Sequence, residues 1–88
     1  MRGSIIREES KNAQGISLTY TLIKGEGRYG KPFFSLFITE SFLGEKECIL
    51  LDDLTDDLEG ALRIFSLFCD DTVTVCTASD VLEELIYS

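Results

Sequence analysis

Apolar and polar residues alternate along Ile16-Ser17-Leu18-Thr19-Tyr20-Thr21-Leu22, with Ile16, Leu18, Tyr20 and Leu22 on one face. A period of two carried by β-branched and aromatic residues predicts a strand, because a pleated backbone sends successive side chains to opposite sides. Gly25 to Gly30 breaks the pattern, and Lys31-Pro32 opens the next element. Phe33 to Thr39 predicts a second strand, with Phe34, Leu36 and Ile38 facing one way and Phe33, Ser35, Phe37 and Thr39 the other. Ser41 to Lys46, with Gly44, predicts a turn. Glu47 to Leu51 then predicts a short third strand, Ile49 and Leu51 opposing Cys48 and Leu50. Strands this close in sequence pair antiparallel as a meander.

The period changes after Leu51. Leu58, Ala61, Leu62, Phe65, Phe68 and Cys69 recur at three and four, widened by Ile64 and Leu67, which predicts a well-covered helix. Thr55 or Asp56 is the expected cap, with Asp56 and Glu59 spaced as a capping box where the helix dipole favours acids. Asp70-Asp71 ends this helix. Thr72 to Cys76 alternates again and reads as an extended connector or a further strand. Ser79 or Asp80 is the expected cap of a last helix with Val81, Leu82, Leu85 and Ile86 on one face. The fold class predicted is α+β: a three-stranded antiparallel meander followed by two helices packed on one face. Residues 1–15 are polar and read as a flexible or loosely packed N-terminal segment, leaving 16–88 as the single domain.

The chain has 88 residues, 44% of them apolar, which suits one small globular domain with its own core. Charge is distributed unevenly. Residues 1–44 hold six bases and four acids, a net of +2; residues 45–88 hold two bases and twelve acids, a net of −10, within a total of −8. The acidic half repels nucleic acid and anionic membranes, so direct nucleic-acid and membrane binding are not expected, and a basic protein is the natural complement. No segment approaches the roughly 20 apolar residues of a membrane span, and no signal-peptide core follows Met1-Arg2, so the chain is read as cytoplasmic. Cys48, Cys69 and Cys76 form no C-x-x-C pair; they read as free thiols, with a Cys69–Cys76 disulfide as the alternative.

The aspartate-rich turn carries a likeness. Asp52, Asp53, Asp56, Leu58, Leu62, Asp80, Val81, Glu83 and Leu85, with Tyr20 and the strand Phe34 to Ile38 upstream, are its matching positions. Through them the stretch Ile49 to Ile86 resembles the C-terminal half of a small uncharacterised domain family from Gram-positive anaerobic bacteria. The resemblance implies a strand, an acidic turn, a helix, a short extended link and a closing helix. That family carries a proline in the link, where this chain has Val75. Having no assigned activity, the family implies architecture and leaves function open.

Chemistry is sparse. Gly25-x-Gly27-x-x-Gly30 matches the dinucleotide fingerprint literally, but Pro32 and a phenylalanine-rich strand follow where that motif needs a helix. The cluster Asp52, Asp53, Asp56, Asp57 and Glu59 lacks the alternate spacing, central glycine and terminal glutamate of a calcium loop. With no histidine, His-paired nucleophiles and histidine zinc sites are excluded. Asp70 and Asp71 follow Cys69 directly, the wrong setting for a reactive thiolate. A non-enzymatic chain without cofactor or metal is expected.

Two surfaces stand out as candidate interaction sites. Helices on one sheet face leave the other polar, as Thr19, Thr21, Ser35 and Thr39 are, yet Phe33, Phe37 and Ile23 break that rule. Either residues 1–15, with Ile5 and Ile6, fold over them, or they form an exposed patch for a homodimer or a partner. The second surface is the acidic corner Asp52, Asp53, Asp56, Asp57 and Glu59. A protein-binding or regulatory module is the expectation. The alternative is an acidic decoy that mimics nucleic acid and inhibits a basic nucleic-acid-binding protein, as phage inhibitors do.

Overall fold

A computed structural model describes residues 3–27 and 30–87, the side chains of the last two excepted. Among these residues the chain forms β1 (Gly3–Ala13), β2 (Ile16–Glu26), β3 (Pro32–Phe42), β4 (Glu45–Thr55), α1 (Leu58–Asp70) and α2 (Val75–Tyr87). The strands lie in one antiparallel sheet in the order β1-β2-β3-β4. Arg28 and Tyr29 of the expected loop, and Ile86 of the expected helix face, lie outside this description.

The alternation seen in the sequence becomes the core. Leu18, Tyr20 and Leu22 of β2, Phe34, Leu36 and Ile38 of β3, and Leu51 of β4 are buried against Ala61, Phe65, Phe68 and Cys69 of α1 and Ala78 of α2. Register makes this one layer, since Tyr20 pairs with Ile38 and Ile38 with Ile49, while Leu22 pairs with Leu36 and Leu36 with Leu51. Buried apolar side chains contribute about 1.5–3 kcal/mol each, so this layer dominates folding. Tyr20 tethers it further, its hydroxyl donating to the Val73 carbonyl at 2.7 Å. Leu58, expected in the stripe, is 47% exposed, because it sits at the first position of α1 beyond the sheet.

The sheet has four strands where the sequence predicted three. The fourth is β1, built from the segment read as loosely packed. Its residues 3–10 are all exposed, so no apolar alternation announced it. Hairpin geometry and polar ties hold it instead. Gln14 and Gly15 (φ 52° and 83°) form a two-residue turn with both dihedrals positive, the twist that suits paired strands. Lys11 reaches across to α1, its Nζ donating to the Cys69 carbonyl and to Thr72 Oγ1. That places a cation at a helix C-terminus whose own last turn has no basic residue.

The helix boundaries also shift. The cap of α1 is Asp57 rather than Thr55 or Asp56: its side chain accepts from the Gly60 amide at 3.0 Å, while Thr55 Oγ1 accepts from the Asp57 amide. After α1, Thr72 turns left-handed (φ 51°), and the amides of Thr72 and Val73 bond the carbonyls of Cys69 and Phe68. This is a Schellman ending, with Val73 as its buried apolar plug. Helix α2 therefore starts at Val75, not after Ser79 or Asp80. The alternating β-branched run that suggested an extended link is a helix stop followed at once by a helix start. Thr74 and Thr77 exchange hydrogen bonds there, and Glu40 of β3 accepts from the Val75 amide at 3.2 Å.

Candidate interaction surface

The Cα extents are 43 × 31 × 16 Å, and the shortest leaves room for one helix layer on one sheet and no third layer. Among the described residues nothing therefore covers the face opposite the helices. Strand alternation and register place on it Ile5 and Glu8 of β1, Thr21 and Ile23 of β2, Phe33, Ser35 and Phe37 of β3, and Cys48 and Leu50 of β4.

Its middle row runs Glu8, Thr21, Phe37, Leu50 in direct cross-strand register. Thr21 donates to Glu8 Oε2 at 3.0 Å and is buried between its neighbours. Phe37 is half-buried, and Leu50 beside it is 51% exposed. Towards one end, Ile5 pairs with Ile23 and Phe33 with Gly25. The tip of the Phe33 ring lies over Gly25, in the space a side chain there would fill: a Cβ on Gly25 would meet Phe33 Cζ at 2.5 Å. An aromatic ring covering a cross-strand glycine shields its backbone from water. Phe33 is thus partly a structural lid, and Phe37 and Leu50 are the freer apolar contacts. Towards the other end the face turns polar, with Ser10 and Thr19 bonded at 3.1 Å and Ser17 donating to Asn12 at 2.8 Å. A depression of about 350 Å³ lies between, lined by Thr19, Phe37, Thr39, Lys46 and Cys48 among others.

The N-terminal segment does not fold over the phenylalanines. As β1 it lies in the plane of the sheet and extends the patch, with Ile5 65% exposed; Ile6, at the register shift between Ile5 and Arg7, is 39% exposed. Ile5 and Leu50 are the residues that reading by segment missed. Leu50 was visible as the apolar neighbour of Ile49 and Leu51 on a face expected to be polar.

The acidic corner divides. Between Phe34 and Leu36 the pairing with β4 is irregular, and the extra residues bulge from that strand. Asp52 and Asp53 sit in the bulge: Ser35 Oγ donates to Asp52 Oδ1 at 2.7 Å and accepts from the Asp53 amide at 3.2 Å. Asp53 is left-handed (φ 52°). All five acids are exposed, but two of the carboxylates are engaged, that of Asp52 by the Ser35 hydroxyl and that of Asp57 by the Gly60 amide at the start of α1. The two candidate surfaces meet at buried Ser35. No group of three or more potential ligands among the described residues is placed to hold a metal ion.

The thiols are free, Cys48 and Cys76 exposed and Cys69 buried. Burial, with Glu9 adding to it and Lys11 opposing, pushes the Cys69 thiol up to about 12, so it stays protonated and unreactive at neutral pH. Burial also pushes the Tyr20 phenol up to about 12. No described helix is long and apolar enough to cross a membrane. No protein-family model, curated protein or solved structure matches this chain.

Proposed function

We propose that this chain is a small, non-enzymatic, regulatory protein-binding module whose contact surface is the open face of its sheet. One observation carries the reading: both helices lie against the same side, and on the other Ile5 and Leu50 are exposed beside a half-buried Phe37. Apolar side chains grouped on a small soluble domain mark contact sites more often than they mark chance. The chemistry agrees, because the buried thiol is held protonated and the carboxylates of Asp52 and Asp57 are committed to a bulge and a cap. For the same reason the acidic-decoy reading has less support, since its carboxylates do not form one free stripe.

An uncharged solvatochromic dye tests this, as the net charge of −8 would repel an anionic one. The folded protein should bind the dye, and Phe37→Ser or Leu50→Ser should each reduce the signal with the circular dichroism unchanged. At dilutions where light scattering gives the single-chain mass of 9.9 kDa, absence of dye binding, or binding indifferent to both substitutions, overturns the reading.

A further inference from the structure

We infer that the partner of the open sheet face is a second copy of this chain, the two faces meeting to form an eight-stranded sandwich with the helices outermost. The inference rests on the open face being a contact surface, and charge and area then select its occupant.

Charge comes first. Strand alternation among the described residues places one base, Lys46, and two acids, Glu8 and Asp52, on this face, a net of −1 against −8 for the chain, with Glu40 and Glu47 also lining its depression beside Lys46. Both acids already accept hydrogen bonds, from Thr21 and Ser35. A strongly basic partner would find little to pair with here and would be drawn elsewhere. A second copy meets almost no repulsion on this side, because the excess negative charge lies on the helices, edges and turns. Charged residues near an interface govern which partners are rejected more than how tightly the accepted one binds.

Area agrees. Strands of eleven residues are about 36 Å long, and four of them span about 19 Å, giving roughly 700 Å² of face, close to the roughly 800 Å² per partner in stable complexes. Two twisted sheets stacked this way sit about 10 Å apart with their strands about 30° from parallel. A two-fold contact makes each patch its own complement. Phe37, midway along β3, lies nearest the axis.

Edge-to-edge pairing is disfavoured. The register shift at Ile6 and the charges Arg7, Glu8, Glu9 and Lys11 blunt β1, while the bulge at Asp52-Asp53 and the charges Glu45, Lys46 and Glu47 blunt β4.

Light scattering on a sizing column, across a wide concentration range, tests the inference with the full chain. The wild type should approach twice 9.9 kDa. Leu50→Lys, at an already half-exposed position, should return it to the single-chain mass with a native circular dichroism spectrum, and Phe37→Ser should do the same. A wild type that stays monomeric at millimolar concentration overturns the pairing, as does a dimer that survives both substitutions. The dye separates the failures. A monomer that binds dye through Phe37 loses only the second copy, whereas a monomer that binds none loses the contact surface as well.

Discussion

Leu43 offers a prediction whose sign runs against intuition. It occupies the first position of the β3–β4 turn with φ 52°, followed by Gly44 at φ 82°, and it is 86% exposed. A left-handed residue with a Cβ costs about 1 kcal/mol, and asparagine lowers that cost by bonding locally through its short amide. With so little of the side chain covered, the burial forgone in Leu43→Asn is about a seventh of the usual 1.5–3 kcal/mol, roughly 0.2–0.4 kcal/mol. Replacing an apolar residue by a polar one should therefore stabilise the protein by up to about 0.6–0.8 kcal/mol. In a domain this size that raises Tm by about 2–6 °C. Leu43→Gly relieves the same strain but loosens the unfolded chain by about 0.4–1 kcal/mol, so its Tm should stay near that of wild type. Thermal unfolding followed by circular dichroism gives the order. A lower Tm for Leu43→Asn would refute the reasoning.

The remaining predictions concern the ties that position the surface. Asp57→Ala should cost about 1 kcal/mol in urea unfolding through loss of the α1 cap, while Asp56→Ala should be near neutral; equal effects would move the cap back to Asp56. Lys11→Met should cost about 1–2 kcal/mol, from a charged hydrogen bond and the helix terminus it neutralises, and should speed amide exchange along β1; unchanged exchange would mean β1 is held otherwise. Stability should fall in the alkaline range. Burial raises the Cys69 thiol from 9.0 and the Tyr20 phenol from 10.0, each to about 12. The unfolded chain loses these protons first, so the full stability present below pH 9 is lost progressively towards pH 12. The urea midpoint measured across that window should decline less steeply in Cys69→Ala; an identical slope would remove the thiol as a cause.

The sequence showed the helix-facing layer well, because burial on one side imposes strict alternation on Ile16 to Leu22 and Phe34 to Ile38. It concealed β1 for the complementary reason. An edge strand whose helix-side positions are the charged Arg7, Glu9 and Lys11 has no apolar face, and its order comes from pairing and from Lys11, which no local pattern reveals. Beyond Leu51 the bulge at Asp52-Asp53 breaks the period, so the strand runs on to Thr55 unseen. The start of α2 is hidden in the sequence because Thr72, Val73 and Thr74 alternate like a strand while acting as a helix stop, a plug and a new start. Of the candidate surface, Phe33 and Phe37 were legible as violations of a polar face. The covering of Gly25 by Phe33 was not, since it depends on register.

Differential alkylation of the three thiols, resolved residue by residue by mass spectrometry, tests the central claim most directly. Cys69 is buried on the sheet-facing side of α1, Cys48 lies on the open sheet face across from Thr39, and Cys76 is exposed on α2. In the native protein Cys69 should resist reagent, Cys48 should become protected as concentration rises, and Cys76 should react at a constant rate. A Cys69 as reactive as Cys76, or a Cys48 whose rate ignores concentration, would contradict a sheet closed on one side and in contact through the other.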